Sequence, residues 1–509
     1  MLINSPVVAS PGWPRTGGSR YMVLTHGYFL HEDPKEQAIM KPYPPLGILY
    51  LSAWLDRHGV ENTVFDTTFS TRESLQTYLL EQRPKIVALY TNLMTKRNVI
   101  AIIEFIRNQN SLQDCLIVLG GPDVTHNTDG YLGAGADLLV IGEGEQTLLE
   151  IANCGLQIAD FKTQVNRDPL RVIGNLNGLA CRLPDGSVHR TAPREKIRDL
   201  DQLPLPNRQK INLQKYLNAW KQAHGHSAVS LSTQRGCPYT CRWCSTAVYG
   251  QSYRRRSPKV VVDEIEWLQT HYEFDLIWFV DDVFTISHKW LQAFRDELEI
   301  RSIRVQFECI TRADRLSEDV VQMLKDCGCF RVWIGAESGS QRIIDAMDRR
   351  VDVQQVRSMI QASRRAGIQA GTFIMLGYPG ETESDIRETV EHLKVSNPDL
   401  FTITVAYPIK GTGLYEDVQT SIHSALPWVD RTDRDLDFQR NYSRRYYDYA
   451  VRWTVNAVHW HKAKLAGRGF SFPGLKFFGK MMLARGGMVW WRMVGSNEAG
   501  EVNCPAISK

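Results

Sequence analysis

The feature that most restricts the fold of this 509-residue chain is a rhythm of strands and helices that begins at Ser227. Short apolar stretches start near residues 228, 275, 304, 330, 369 and 399, and amphipathic stretches of helical length fill the gaps. Strands that alternate with helices in this way form parallel sheets, because a parallel crossover needs the length of a helix. Six such units predict a partial (β/α)6 barrel over residues 227 to 408, an open relative of the eightfold barrel, with its active site at the carboxyl ends of the strands.

The first of these strands, Ala228 to Ser232, leads into the sequence RGCPYTCRWCS. Thiolates at this spacing can converge on one metal centre, and three of them suit a four-iron cluster that leaves one iron open to another ligand. The alternatives are a disulfide with a spare thiol and a zinc site, but zinc needs a fourth ligand and the nearest histidines lie outside the loop. The loop therefore predicts an iron–sulfur cluster on Cys237, Cys241 and Cys244.

Polar residues follow the other strands at the end where this fold places its active site. Acidic side chains there can bind an amino group and a ribose diol, and an arginine can bind a carboxylate as a fork. The alternative is that these charges pair with one another, for example Arg312 with Glu337. The residues concerned are Asp281 and Asp282 after the second strand, Arg312 after the third, Glu337 and Ser338 after the fourth, and Gly377 after the fifth.

Residues 1 to 154 show a second alternation of strands and helices, which predicts a doubly wound, Rossmann-like α/β domain with a parallel sheet. Such sheets bind ligands at the carboxyl ends of their strands, where glycine lets the backbone approach a large flat ligand. A loop rich in proline and glycine, from Pro6 to Lys41, is long enough to close over a ligand. The predicted strands are Leu2 to Ser5, Asn62 to Asp66, Lys85 to Tyr90, Cys115 to Leu119 and Asp137 to Ile141.

Two further segments complete the predicted organisation. Residues 155 to 226 form a connector, in which the turn signal Pro184-Asp185-Gly186 predicts a small hairpin. Residues 409 to 509 are helical in composition, and the stretch 440 to 468 holds seven lysines and arginines against one acid. A basic, aromatic region of this kind caps an open barrel, contacts an apolar substrate or lies on an anionic membrane surface.

Composition restricts the partners of the protein. Sixty lysines and arginines against 56 acidic residues leave a formal charge of only +4, which argues against nucleic acid and favours a small-molecule substrate. Ten cysteines in a chain with a metal-type loop indicate a reducing compartment, by default the cytoplasm. The opening residues lack a signal-peptide pattern, and no apolar run reaches the 18 residues of a membrane span.

The cysteine loop and the strands after it, from about Ser227 to Pro408, resemble the radical S-adenosylmethionine (SAM) superfamily. The resemblance implies a [4Fe-4S] cluster that cleaves SAM with electrons from an external flavodoxin or ferredoxin. It implies that Trp243 packs on adenine, although shielding of the cluster is an alternative role for this ring. The residues matching the family's SAM site are Asp281, Asp282, Arg312, Glu337, Ser338 and Gly377.

Three N-terminal segments resemble the cobalamin-binding domain of one radical SAM subclass: KPYPPLGILYLSAWL at 41 to 55, LGGPD at 119 to 123 and IGEGE at 141 to 145. Taken singly, each glycine is equally consistent with a tight turn. The resemblance implies that the corrin and its nucleotide tail are surrounded by Tyr43, Pro45, Gly47, Asn92, Thr95, Gly120, Gly121, Gly142, Glu143 and Gly144.

One motif of other cobalamin proteins is missing. Cobalamin mutases and methionine synthase use D-x-H-x-x-G to supply a histidine to cobalt, and this sequence has no such motif. The nearest match surrounds His58, at the end of a predicted helix, where a histidine is favourable to the helix dipole. We therefore expect cobalt to lack a protein nitrogen ligand.

The resemblance implies that a radical derived from SAM abstracts hydrogen from an unreactive carbon and that methylcobalamin supplies a methyl group. Methylation of an unactivated carbon of a small, apolar molecule is the leading hypothesis. Ring closure or oxidation, as in the anaerobic magnesium-protoporphyrin ester cyclases, is the second. A non-catalytic cobalamin sensor is the third, and the intact cysteines argue against it.

Overall fold

In the computed structural model, which describes residues 21–157, 160–245 and 250–498, the chain is built on two mainly parallel sheets. The N-terminal sheet has the order β2-β1-β3-β4-β5-β6-β7, and its first five strands are parallel. This order is the predicted doubly wound arrangement, with a switch point between β1 and β3. The strands are β1 (Met22–His26), β2 (Asn62–Phe65), β3 (Ile86–Tyr90), β4 (Leu116–Gly120), β5 (Leu138–Val140), β6 (Leu179–Arg182) and β7 (Val188–Arg190).

The central strand β1 shows that one prediction was wrong. The segment Pro6 to Lys41 is not a continuous loop, because its described part contains β1 and the helix α1 (Pro34–Ile39). All five residues of β1 are buried, and the strand pairs with β2 on one side and β3 on the other. A strand covered on both faces carries no alternating pattern, and β1 is too short to stand out by hydrophobicity alone. The predicted strand Leu2 to Ser5 lies outside the described residues.

The hairpin predicted within the connector extends the N-terminal sheet instead of standing apart from it. Val140 of β5 pairs with Leu179 of β6 in antiparallel fashion, and β7 follows β6. Apolar layers cover both faces of the sheet. The helices of this half are α2 (Leu46–Arg57), α3 (Arg72–Gln82), α4 (Lys96–Arg107), α5 (Thr128–Gly133), α6 (Glu145–Gln157), α7 (Phe161–Arg167), α8 (Pro169–Ile173) and α9 (Leu213–His224).

The second sheet confirms the predicted six-unit open barrel. Its strands are all parallel and lie in chain order, so the first and last strands are the two edges of the sheet. They are β8 (Ala228–Leu231), β11 (Leu276–Phe279), β12 (Phe307–Thr311), β13 (Cys329–Glu337), β14 (Gln369–Leu376) and β15 (Leu400–Val405), and the small ladder β9 (Gln234–Arg235) with β10 (Arg254–Arg255) follows β8. The helices are α10 (Pro258–His271), α11 (His288–Ile300), α12 (Glu318–Asp326), α13 (Gln341–Ala346), α14 (Val353–Arg365), α15 (Glu383–Ser396) and α16 (Gly413–Val418).

Two long helices, α17 (Arg444–Leu465) and α18 (Phe472–Glu498), form an antiparallel C-terminal hairpin that packs on α15. Glu383, at the start of α15, anchors the hairpin through ion pairs with Arg485 and with Arg492 at 3.2 Å. Among the helices of the described ranges, none has the length and apolar content needed to cross a bilayer. The hairpin covers one side of the barrel through α15 and β15, and Phe470 and Phe472, near the turn between its two helices, are exposed.

Candidate functional site

The cysteine loop leaves β8 and is fastened at its neck by Asp281, which follows β11. The buried Asp281 carboxylate accepts hydrogen bonds from the backbone N–H groups of Thr233 at 2.8 Å and Gln234 at 3.2 Å. The hydroxyl groups of Ser232 and Thr233 donate to the same carboxylate. Burial raises the pKa of Asp281, and Arg255 together with these hydrogen bonds opposes that shift. Asp281 thus supports the loop directly, while its contact with SAM stays a prediction.

Two buried arginines direct positive charge at the cysteines. Arg312 and Arg349 each place Nη1 at 3.5 Å from Sγ of Cys241. Burial raises the pKa of the Cys237 thiol and raises that of Cys244 to about 12, so nearby cations are needed to favour the thiolates that bind iron. In the described part of the chain, no three His, Cys, Asp or Glu side chains are close enough to hold a single metal ion. The cysteine ligand set stays a prediction, supported by the loop spacing and by these two cations.

Arg349 is the residue of this centre that sequence reasoning missed. Its guanidinium lies 3.8 Å from the carboxylate of Glu337, so Glu337 is paired with Arg349 and not with Arg312. Arg312 instead donates to the Asp314 carboxylate at 2.8 Å and to the Arg349 carbonyl at 2.7 Å. Burial raises the pKa of Glu337, and the two arginines oppose this shift. Arg349 lies in the turn after α13 and follows no strand, so the strand-end rule could not find it.

The remaining predicted SAM residues lie around this centre with protein partners of their own. The Ser338 hydroxyl lies 3.2 Å from that of Thr389 on α15. The Gly377 N–H donates to the Glu381 carboxylate at 2.6 Å. Trp243 packs against an apolar cluster that includes Tyr378, Leu414 and Phe438. The structure thus brings the predicted residues to one end of the barrel, and their contacts with SAM stay predictions.

A cavity with an empty volume of about 1100 Å³ lies between the two sheets, next to the cysteine loop. Both halves of the chain and the connector contribute to its walls, so it joins the two predicted cofactor sites. The residues lining it include Leu46, Gly47, Tyr50 and Tyr90 from the N-terminal half, Leu200 and Leu203 from the connector, and Gln234, Arg235, Gly236, Cys237, Val280, Asp281 and Asp282 from the barrel.

A second cavity, with an empty volume of about 750 Å³ and mainly apolar walls, lies at the carboxyl ends of the N-terminal strands. Within the described ranges, no neighbouring atom lies within 4 Å of the position that a Cβ would occupy on Gly47 or Gly142. Gly121 has φ +117°, and a Cβ there would lie 2.1 Å from the carbonyl oxygen of Thr91. Gly47 and Gly142 thus leave open space at the strand ends, which fits a large ligand such as cobalamin, whereas Gly121 is required by its turn. Six of the predicted cobalamin residues line this cavity: Gly47, Gly120, Gly121, Gly142, Glu143 and Gly144.

The other four predicted cobalamin residues lie outside the lining of the second cavity. Tyr43 is 57% exposed, and Pro45 precedes the first turn of α2. Asn92 accepts a hydrogen bond from the backbone N–H of Thr95 at 3.0 Å, which orders the start of α4. The His58 ring contacts the Trp54 carbonyl at 2.8 Å and lines neither cavity, in keeping with its predicted place at a helix end.

Four charged side chains form ion pairs between the N-terminal half and the barrel, and we call them the interdomain clamp. Glu143 lies 2.7 Å from Arg254 and 3.5 Å from Arg235, while Glu145 lies 2.5 Å from Arg235. All four side chains are at most 10% exposed. Arg235 immediately precedes the cysteine loop, and the two glutamates follow β5 of the other sheet. The clamp therefore fixes the predicted cobalamin site relative to the cysteines.

Two family models match the chain in these two halves. Residues 39–152 match the B12 binding domain, and residues 231–393 match the radical SAM superfamily. The chain carries a B12-binding domain followed by a radical SAM domain. The predicted combination is thereby confirmed, and this radical SAM protein is an enzyme whose cofactors are a [4Fe-4S] cluster, SAM and cobalamin.

Several known proteins are similar to this chain over most of its length. An uncharacterized methyltransferase of Pyrococcus horikoshii is 27% identical over 75% of this chain and 81% of its own. The anaerobic magnesium-protoporphyrin IX monomethyl ester cyclase of Rubrivivax gelatinosus is 26% identical over 74% of this chain and 66% of its own. The solved structure of the radical SAM methyltransferase TsrM from Kitasatospora setae, with cobalamin and a [4Fe-4S] cluster bound, is 17% identical, covers 81% of this chain and 78% of its own, and has a TM-score of 0.64. The similarity to TsrM shows a shared fold.

Proposed function

We propose that this radical SAM protein methylates an unactivated carbon of a small molecule. The observation that carries the proposal is a cavity that borders the cysteine loop and shares Gly47, Tyr90 and Arg235 with the second cavity, at the glycine-rich strand ends of the B12-binding domain. A carbon radical formed near the cysteines needs a methyl donor within near-attack range, and this cavity connects the two sites. The likeness to the methyltransferase from Pyrococcus horikoshii supports the same activity.

The residues of the chain have separate roles in this proposal. The bound cofactors supply the radical and the methyl group, and the protein positions them and excludes water. Cys237, Cys241 and Cys244 hold the cluster, and Arg312 with Arg349 balances the charge of the Cys241 thiolate. The clamp keeps the B12-binding domain at a fixed distance from the cluster. An external flavodoxin or ferredoxin supplies the electrons.

The two by-products of SAM test the methylation proposal. Methylation consumes one SAM as the radical source, which gives 5′-deoxyadenosine, and a second as the methyl source for cobalamin, which gives S-adenosylhomocysteine. We expect anaerobically reconstituted protein, incubated with SAM, cobalamin, a reductant and metabolite fractions, to form both by-products in equal amounts. Mass spectrometry should show one added methyl group in the product. Protein without cobalamin serves as the control. It should not form S-adenosylhomocysteine in an amount that matches the product.

A radical cyclisation or oxidation is the second candidate. It is favoured by the sequence similarity to the cyclase of Rubrivivax gelatinosus. This reaction would form 5′-deoxyadenosine from SAM and would involve no methyl transfer. Substrate-dependent 5′-deoxyadenosine without matching S-adenosylhomocysteine, and without a methyl gain in the product, would replace the first candidate by the second.

A cytoplasmic location is part of the proposal. The nine cysteines of the described ranges form no disulfide, and several are buried away from the cluster loop. Free thiols and an iron–sulfur cluster both persist best in a reducing compartment.

The free end of the C-terminal hairpin supports a second part of the proposal, contact with an anionic membrane surface. We call residues 464 to 483 the hairpin tip. Its apolar side chains lie in solvent, with Phe470 94% exposed, Phe472 83% and Leu483 77%. Lys464, Arg468, Lys476 and Lys480 accompany them, and the sequence has no acidic residue between 449 and 497. Aromatic and aliphatic side chains among unopposed cations match the boundary of an anionic bilayer.

Vesicle binding tests the contact. We expect the full-length protein to sediment with vesicles that contain anionic phosphatidylglycerol and to bind neutral phosphatidylcholine vesicles at least about tenfold less, because each basic residue near an anionic surface adds favourable energy. Phe470→Ser with Phe472→Ser should reduce binding to the anionic vesicles. Ile300→Ser, at an exposed position on the barrel helix α11, is the matched control. Equal binding to both vesicle types, or no effect of the double variant, would contradict the contact.

A further inference from the structure

One buried side-chain amide beside the cysteine loop has no hydrogen-bond partner among the residues that the structure describes. Gln234, on β9, is only 5% exposed, and its backbone is fully engaged: the N–H donates to Asp281, and the carbonyl accepts from the Ser232 hydroxyl at 3.0 Å. Neither the oxygen nor the nitrogen of its side-chain amide has a hydrogen-bond partner. Native proteins keep few buried amides in this state, because each loses its bonds to water without replacement. Because Gln234 borders a cavity, whatever fills that cavity can supply the missing hydrogen bonds.

The position of Gln234 indicates which ligand that is. Gln234 lines the cavity between the sheets together with Gly47 and Tyr90. Gly47 and Tyr90 also line the apolar cavity at the strand ends of the B12-binding domain. A ligand that fills the apolar cavity and extends toward the cysteines therefore passes Gln234.

The other polar groups that line the cavity indicate which part of the ligand Gln234 binds. Asp281 is occupied by the neck of the loop, and Arg235 belongs to the clamp. Asp282 also lines the cavity, but a carboxylate only accepts hydrogen bonds. An amide offers one acceptor and a donor side by side, which is the complement of another carboxamide. The rim of the corrin ring of cobalamin carries several carboxamide groups.

We propose that Gln234 binds a peripheral carboxamide of cobalamin through a pair of hydrogen bonds. This assignment rests on the proposed placement of cobalamin in the two connected cavities. It gives the barrel a direct contact with a cofactor whose other predicted residues all lie in the N-terminal domain. The edge of the corrin ring would then be held directly next to the first cysteine.

Two opposite effects of one substitution test the proposal. Gln234→Leu in the full-length protein replaces an unpaired buried amide by an apolar side chain of similar size, so the cobalamin-free protein should melt at an equal or higher temperature. The same variant should bind hydroxocobalamin about tenfold more weakly, as measured by absorption titration, because two hydrogen bonds are lost. Cobinamide, which keeps the carboxamides and lacks the nucleotide tail, should show the same loss. Gln214→Leu, at an exposed position on α9, should change neither quantity.

Several results would overturn the inference. An unchanged dissociation constant for hydroxocobalamin would do so, as would a loss that disappears with cobinamide, since Gln234 would then contact the nucleotide tail. If the leucine variant folds poorly, Gln234→Glu keeps the shape and removes the donor, and it should also weaken binding. A wild-type protein that binds cobalamin with this dependence on Gln234 but forms no methylated product would leave the inference standing and remove the proposed methylation.

Discussion

Protein in which Cys237, Cys241 and Cys244 are all replaced by alanine is expected to hold no four-iron cluster and to form no 5′-deoxyadenosine from SAM. The three thiols are the only cysteines of the loop, and a cluster without thiolate ligands is not retained. Iron and sulfide content, together with absorption and paramagnetic resonance spectra after anaerobic reconstitution, measure the first loss. Chromatography of the SAM reaction measures the second.

A matched control separates this loss from general damage. Cys115, Cys154 and Cys181 lie in the first sheet and its surroundings, far along the chain from the loop. Their combined replacement by alanine should leave the cluster spectrum unchanged. The loop variant should still bind hydroxocobalamin, because its predicted site lies mainly on the other domain. Retention of the cluster spectrum in the loop variant would show that the ligand assignment is wrong.

The second large effect is expected from the interdomain clamp. Arg235→Met removes the partner of the buried Glu145 carboxylate, and an uncompensated buried charge costs about 3 to 5 kcal/mol. Replacing both residues by methionine removes both charges and should restore much of this stability. The double variant nevertheless lacks the contact that fixes the two cofactor sites, so it should form less methylated product than wild type. Urea unfolding followed by circular dichroism gives the stabilities.

An exposed ion pair provides the comparison for the clamp. Arg365 and Glu318 lie 2.9 Å apart with side chains 63% and 77% exposed, so Arg365→Met should cost less than about 1 kcal/mol. If Arg235→Met is no more destabilising than this surface variant, the clamp contributes nothing to the junction. If the double variant is as unstable as the single one, the loss comes from packing and not from the orphaned charge.

The barrel was predictable because its strands and helices recur at the spacing of parallel units. All six strands lie where the apolar stretches begin, and the polar strand ends meet at one end of the sheet. The central strand β1 escaped prediction because five buried residues flanked by irregular sequence carry no period. The hairpin β6–β7 was predicted, but nothing in its sequence indicates which sheet edge it joins.

The candidate site was predictable where chemistry follows local spacing and not where it depends on distant contacts. The three cysteines lie within eight residues, so their spacing alone predicts a shared metal centre. Arg349 lies 108 residues from Cys241 in the chain, and the clamp joins residues 90 positions apart. Glu143 was predicted as a cobalamin residue from the resemblance of IGEGE to the cobalamin-binding domain, whereas its ion pair with Arg254 depends on how the two sheets pack.

The two sides of the clamp are synthesised at different times. Glu145 leaves the ribosome 90 residues before Arg235, its partner. At typical rates of synthesis this interval lasts about 5 to 20 seconds, long enough for an N-terminal domain to fold. During that time both glutamates belong to a surface that is still open to water, where their charges are well solvated. The junction can close only after the barrel begins to appear, so a nascent B12-binding domain is kept accessible to its large cofactor until the second domain arrives.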